Sequence, residues 1–190
     1  MKRLQNLRAA ETEVKRMERQ HMSEVKDAAK KVTHEFGPFY DKNSKVLILG
    51  SIPSPKSREQ GFYYGHPRNR FWPVLAALFD ENVPQTVPER KNFLKRHGIA
   101  LWDVLASCDI KGADDGSIRN PEANDMRLVT GESDIRAIFT TGGKAAKLYE
   151  KLCEPVCGIK AVGLLSTSPA NCRYSLDKLT EEYRKILKYL

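Results

Sequence analysis

The sequence predicts an α/β fold in which helices cover both faces of a mostly parallel sheet. Strand-like and helix-like segments alternate after residue 44, a pattern typical of parallel strands joined by crossover helices. The first strand, Val46 to Leu49, is wholly apolar and lies between turn residues, as expected of a strand buried on both faces. The length of 190 residues favours one compact domain over two.

That domain is expected to span residues 34–190. Residues 1–33 are rich in Lys, Arg and Glu and contain neither Gly nor Pro. Their loosely helical apolar spacing predicts a charged, solvated helical extension, which we prefer to a dedicated DNA-binding arm. Met22 is a plausible alternative start of the chain.

The remaining elements follow from hydrophobic periodicity and turn residues. Residues 51–69 contain three prolines and predict a long loop, and Asn69 is a possible cap for the helix that follows. The other expected elements are helices at 70–80 and 88–98, a strand at 99–107, a polar loop at 108–125, a strand and turn at 134–143, a helix at 143–153, a strand at 159–166 and an amphipathic helix at 175–190.

Composition excludes several protein classes. The chain is 41% hydrophobic and 29% charged, which is unlike collagen, a pure coiled coil or a wholly disordered protein. No run approaches the ~18 apolar residues of a membrane span, and the N-terminus lacks a signal-peptide core. We therefore expect a cytoplasmic protein with no membrane partner.

Charge and cysteine usage bear on partners and cofactors. Lys and Arg number 32 against 24 acidic residues, a net charge of +8 that suits a polyanionic partner. The four cysteines show no paired CxxC spacing. No metal motif or nucleotide-binding motif is present, so the expectation is structural thiols in a reducing compartment and no cofactor or metal.

Three loops should share one cleft. In parallel sheets, ligands bind beyond the carboxyl ends of the strands, which places the loops after Leu49, Thr141 and Leu165 at a common edge. The first loop ends in YYGHPRNR. Aromatic rings interleaved with cations suit an extruded nucleobase and DNA phosphates. The alternative is that these tyrosines pack on the core and that His66 is a structural histidine.

The other two loops each allow two interpretations. Gly142 and Gly143 could bring backbone amides to an anion, or could only ease packing of the next helix. The last loop, STSPANCRYS, could bind phosphates through its hydroxyls and amides, or could simply enter a helix capped by Ser175.

Five motifs, taken in order, resemble the uracil-DNA glycosylase superfamily. They are VLILGSIPS, GFYYGHPRNRFWPVL, ALWDVL, FTTGGKA and LLSTSPAN followed by SLDKL. The resemblance runs from about His34 to Leu190 and is strongest to the hypoxanthine-DNA (deoxyinosine) glycosylase branch. It implies a three-layer sandwich around a four-stranded, mostly parallel sheet, and a monofunctional enzyme that extrudes a damaged base and hydrolyses its N-glycosidic bond.

The resemblance also implies roles for residues. The HPxN asparagine is Asn69, which would hold the attacking water or the leaving base, and Tyr64 matches the aromatic that stacks on the extruded base. Asn171 lies in the motif whose residues enter the DNA or brace the base. Ile52 stands where the mismatch-specific branch has its water-positioning asparagine, which argues against uracil activity. The other expected contacts are Gly50, Ser51, His66 and Ser168 to the base, and Arg68, Arg70, Ser166, Thr167 and Arg173 to DNA.

Cleavage of the bond leaves negative charge on the departing base. Hydrogen-bond donors aimed at that charge can each contribute ~3–4 kcal/mol, and the candidates are the Gly50 and Ser51 backbone amides and the Asn171 side chain. The expected function is base excision of deoxyinosine by a monomer acting on damaged DNA. The alternatives are a uracil- or mismatch-type glycosylase and a catalytically silent nucleic-acid-binding module on the same fold.

Overall fold

The computed structural model describes residues 29–190, and its centre is a four-stranded sheet. All neighbouring strands in this sheet are parallel. In spatial order they are β3 (Ile99–Asp103), β2 (Val46–Gly50), β6 (Ala137–Thr141) and β7 (Ala161–Leu164). The predicted four-stranded parallel sheet is confirmed.

Strand β2 is central, and all five of its residues are buried. Ile48 pairs with Leu101 on one side and Phe139 on the other. A strand enclosed in this way needs apolar side chains on both faces, which explains the uninterrupted run in the sequence. Because the strands are parallel and in register, Gly50 and Asp103 end at the same edge of the sheet.

Helices flank this sheet. Helix α3 (Val87–Arg96) packs on β3, and α5 (Gly143–Leu152) packs on β6 and β7. Helices α2 (Phe71–Phe79) and α7 (Leu176–Tyr183) pack on each other. The predicted helices are confirmed, except that the last one ends at Tyr183 and continues as a 3₁₀ turn, Arg184–Tyr189.

The prediction of one strand over 99–107 is wrong. The parallel pairing with β2 ends at Asp103. The Val104 and Leu105 amides donate to the carbonyls of Gly50 and Ser51 at 2.9 and 3.0 Å, which holds the departing chain against the end of β2. The next strand, β4 (Leu105–Ile110), is the middle strand of a second, antiparallel sheet of three strands. Val104 is as buried as its neighbours, so the apolar run conceals the break.

Two segments of this second sheet also differ from their predictions. Strand β1 (Lys30–Thr33) pairs with β4, so the helix predicted through residue 33 is wrong for these four residues. The rest of the predicted extension lies outside residues 29–190. Strand β5 (Arg119–Ala123) lies within the predicted polar loop. All its residues are exposed, so the strand lacks the alternation of apolar and polar residues by which a strand is recognised in a sequence. It can contain Pro121 because it lies at the edge of the sheet.

The long first loop contains a short helix, α1 (Pro55–Gln60), which the sequence did not predict. Ser54 caps it by accepting from the Ser57 amide, and Pro55 occupies the first turn, where a missing N–H does no harm. The minor helices are α4 (Arg127–Thr130) and α6 (Glu154–Cys157). All four cysteines are free thiols. Across residues 29–190, no helix has both the length and the apolar character needed to span a membrane.

Candidate active site

A cavity of about 140 Å³ opens where strands β2, β3 and β6 end. It is smaller than the ~300–1,000 Å³ of sites for drug-sized ligands, so it suits a single heterocycle. Seven residues predicted for the site line it, namely Gly50, Ser51, Tyr64, Asn69, Ser166, Thr167 and Ser168. The first and third loops therefore meet at one edge of the sheet, as the sequence predicts.

Asn69 stands just before helix α2 with its side chain fixed. Its Oδ1 accepts the Phe71 amide proton at 3.0 Å, which satisfies one of the free N–H groups at the start of the helix. The backbone amide of Asn69 donates to the His66 carbonyl at 2.8 Å. Because Oδ1 is already bound to the Phe71 amide, Nδ2 is the side-chain atom that is left to bind a molecule in the cavity. Asn69 therefore presents a hydrogen-bond donor.

Tyr64 is held rigidly in the wall of the cavity. Its ring stacks on Phe71 with centroids 3.6 Å apart, and its hydroxyl lies 3.3 Å from Thr141 Oγ1. The backbone at Tyr64 is left-handed, with φ 52°, an uncommon conformation for a non-glycine residue. Burial raises the pKa of the phenol well above its usual value, so the ring stays neutral.

Two carboxylates that sequence reasoning missed also line the cavity. Asp103 ends β3, and Asp115 comes from a 3₁₀ turn, Asp115–Ser117, between β4 and β5. The rule that ligands meet strand ends could have found Asp103. The unrecognised break after this residue instead placed it inside a predicted strand. Asp115 was hidden in a polar loop with no periodic signal.

Asp115 accepts a hydrogen bond from Ser51 Oγ at 2.8 Å. Burial raises the pKa of Asp115, and the nearby Asp103 carboxylate raises it further, against the opposing effect of the Ser51 hydrogen bond. Ser51 therefore tethers the turn between β4 and β5 to the end of β2. The turn brings Gly112, Ala113 and Asp115 over one side of the cavity.

Replacing Asp115 by Asn should make stability less dependent on pH. A carboxyl group whose pKa is raised by folding holds its proton more tightly in the folded state than in the unfolded chain. Its contribution to stability is therefore lost as the pH rises above the ordinary pKa of an aspartate. We expect the variant to gain stability relative to the parent between pH 4 and pH 7, measured by urea denaturation. A constant difference between the two proteins would contradict this.

The last loop differs from its prediction in two respects. Asn171 is outside the cavity lining, because its Nδ2 donates to the Ser166 carbonyl at 2.8 Å within the same loop. Arg70 was expected to bind DNA phosphate. Its guanidinium instead donates to the backbone carbonyls of Asn171 and Tyr174. Both side chains therefore stabilise the last loop, Asn171 from inside the loop and Arg70 from the start of helix α2.

Three other predicted contacts, His66, Arg68 and Arg173, lie outside the cavity lining. His66 Nδ1 accepts the Arg68 amide proton at 3.1 Å, which favours the structural interpretation of this histidine. Arg68 is exposed, and so is Arg173, whose guanidinium lies 4.9 Å from the centre of the Tyr174 ring. Both remain available to DNA. Thr167 is 1% exposed, so it cannot serve as a surface phosphate contact in this conformation.

Gly142 serves close packing. Its φ is 90°, and a Cβ there would lie 3.0 Å from the Ser166 Cβ. The glycine turn thus lets β6 and the last loop approach each other, which supports the packing interpretation of the second motif. In the described part of the chain, no three His, Cys, Asp or Glu side chains are grouped to hold a metal ion.

Comparison with known proteins agrees with this architecture. The profile of the uracil DNA glycosylase superfamily matches residues 38–190. A protein named hypoxanthine DNA glycosylase from Methanosarcina barkeri is 34% identical over 139 residues, which is 73% of this chain and 87% of the relative. Another of that name, from Methanosarcina acetivorans, is 36% identical over 148 residues, 77% of this chain and 92% of the relative.

A solved structure shares the fold. It is the solution NMR structure of a candidate uracil DNA glycosylase from Methanosarcina acetivorans. It superposes with a TM-score of 0.67 at 32% identity, covering 80% of this chain and 96% of the other. The family match, the relatives and the parallel sheet with its cavity at the strand ends lead to one conclusion: the chain belongs to the uracil DNA glycosylase superfamily.

Proposed function

We propose that this protein is a DNA glycosylase that extrudes deoxyinosine and releases hypoxanthine. The observation that carries the proposal is the side chain of Asn69, which lines the cavity with its oxygen engaged by Phe71 and its amino group left to donate. The names of the two Methanosarcina relatives support the choice of base.

A fixed donor suits hypoxanthine for an electronic reason. Breaking the bond between C1′ and N9 sends electrons into the purine, and a donor placed at O6 or N7 stabilises that charge as it forms. A donor at O6 also discriminates between bases, because adenine carries an amino group in place of O6 and would leave that donor unpaired. An unpaired buried donor costs ~1–3 kcal/mol, which discriminates against adenine.

Tyr64 supports the extruded base by stacking. Phe71 stacks on one face of its ring, and Tyr64 lines the cavity together with Asn69. Base stacking on an aromatic ring contributes ~1–3 kcal/mol. This offsets the few kcal/mol that are needed to remove a base from the duplex, a smaller amount for a mismatched inosine.

A base-release assay tests the proposed function. Labelled duplex and single-stranded oligonucleotides carry inosine, uracil, xanthine or adenine at one position and are heated in alkali after incubation with the protein. We expect breakage at inosine and none at adenine. Breakage at uracil alone would replace the proposed substrate, an outcome that the name of the NMR neighbour makes relevant. Binding without breakage at any lesion would favour the silent binding module.

A further inference from the structure

Asp103 occupies an unusual position for a carboxylate. It is the last residue of β3, is 5% exposed, and lines the cavity beside the end of β2. A Cβ at Gly50 would lie 2.3 Å from Asp103 Oδ1, so glycine at position 50 leaves room for the carboxylate in this position. A buried carboxylate is costly unless it is paired or used.

His34 provides that pairing. Its Nε2 lies 2.9 Å from Asp103 Oδ2, and the His34 side chain is 4% exposed. An ionised carboxylate can only accept, so Nε2 carries the proton in this bond. The His34 amide donates to the Ala106 carbonyl at 2.7 Å, continuing the pairing of β1 with β4. The antiparallel sheet thus holds the histidine against the carboxylate.

The two oxygens of Asp103 are in different situations. Oδ2 is bound by His34, whereas no side chain or backbone amide in residues 29–190 donates to Oδ1. Oδ1 lies against Gly50, which is itself part of the cavity lining. His34 therefore holds Oδ2 in place, whereas Oδ1 is free to bind a molecule in the cavity.

We propose that Asp103 is a catalytic residue that orients the attacking water and offsets the positive charge developing on the sugar, and that His34 is its positioning residue. This inference rests on the proposed glycosylase function. It divides the work between two groups in the cavity. Asn69 donates to the leaving base, and Asp103 serves the sugar and the water.

The step balances without a co-reactant. The water oxygen bonds to C1′ as the bond from C1′ to N9 breaks, and the bonding electrons leave with the purine. Asp103 Oδ1 accepts the proton that the water loses, and the purine anion takes up a proton from solvent. Asp103 returns its proton to solvent when the products leave. Glycosidic bonds break through a cation-like sugar, which an adjacent carboxylate stabilises.

Asp115 is a weaker candidate for this role. It lies on a partly exposed turn at the side of the cavity, and Ser51 already binds its Oδ2. The groups around Asp103 are His34, Tyr63, Tyr64 and Asp115. Among them, only His34 donates a hydrogen bond to it.

The test measures charge complementarity directly. Oligonucleotides carry either a pyrrolidine abasic analogue, whose ring nitrogen is cationic, or a neutral tetrahydrofuran analogue. The parent protein should bind the cationic probe at least ~10-fold more tightly, as expected for a partly buried carboxylate near a cation. Asp103→Asn should abolish most of that preference while leaving the Kd for the neutral probe within about threefold. It should also slow single-turnover base release by ~10²–10³-fold.

Matched variants isolate the role of each group. Asp114→Asn removes the same charge from an exposed residue outside the cavity lining, and it should leave both the probe preference and the rate unchanged. His34→Ala should lower the rate and the probe preference, whereas His34→Gln, which retains an N–H donor, should restore much of both. Equal losses in the two His34 variants would overturn the positioning role.

The outcomes separate this inference from the proposed substrate. If the parent shows no preference for the cationic probe, Asp103 has no such role, whatever base is released, and this holds even if Asp103→Asn does not fold. If Asp103→Asn folds and releases base at the parental rate, the inference is wrong although the glycosylase function stands. If uracil is released in place of hypoxanthine, the same rate comparison on uracil still decides the role of Asp103.

Discussion

Asn69→Ala is expected to slow base release by ~10²–10³-fold, the effect of removing one preorganised donor from a charge-stabilising site. The reason is geometric. Phe71 fixes the amide through Oδ1, and Nδ2 remains as the donor on the wall of the cavity. Single-turnover rates on an inosine oligonucleotide measure the effect, and gel-shift binding to the same DNA should change much less.

Asn69→Asp separates the chemical role from the structural one. Aspartate retains an oxygen for the Phe71 amide and lacks the N–H donor, so it should preserve the start of helix α2 and still slow the reaction as much as alanine does. Alanine should in addition destabilise the fold by ~1 kcal/mol through loss of the hydrogen bond to the Phe71 amide. Asn171→Ala changes the same residue type outside the cavity and should slow release less than tenfold. Parental rates in both Asn69 variants would remove this residue from the mechanism.

Arg70→Ala is expected to lower the free energy of unfolding by about 2–3 kcal/mol. Its guanidinium binds the carbonyls of Asn171 and Tyr174, and charged hydrogen bonds each contribute ~1.5–3 kcal/mol. The variant loses the brace that holds the last loop beside α2, so base release should fall with stability. Urea denaturation measures the change.

The salt dependence of DNA binding should distinguish Arg68 and Arg173 from Arg70. Arg68 and Arg173 are exposed, and each phosphate contact contributes about one unit to the slope of log affinity against log salt. Arg68→Ala and Arg173→Ala should each reduce that slope by ~1 without affecting stability. Arg70→Ala should leave the slope unchanged. A reduced slope in Arg70→Ala, with parental stability, would restore the phosphate contact that the sequence predicted.

Much of the architecture could be predicted from local patterns. The apolar run of β2 required burial on both faces, and the periodicity of residues 71–79 and 143–152 required helices. These signals are local because each arises from side chains that share one face of one element. The rule for parallel strand ends predicts that the loops carrying Gly50, Tyr64, Asn69 and Ser168 share one site, and these four residues line one cavity.

The parallel sheet, its helices and the loop that carries Asn69 can be predicted from the amino-acid sequence, because hydrophobic periodicity and turn residues encode them directly. Three other features are visible only in the folded protein. The chain leaves this sheet after Asp103, His34 reaches this carboxylate from the second sheet, and Asn171 and Arg70 bind the last loop instead of lining the cavity. The contacts of His34 with Asp103 and of Arg70 with Asn171 join residues that are 69 and 101 positions apart in the chain. No local pattern encodes such pairings.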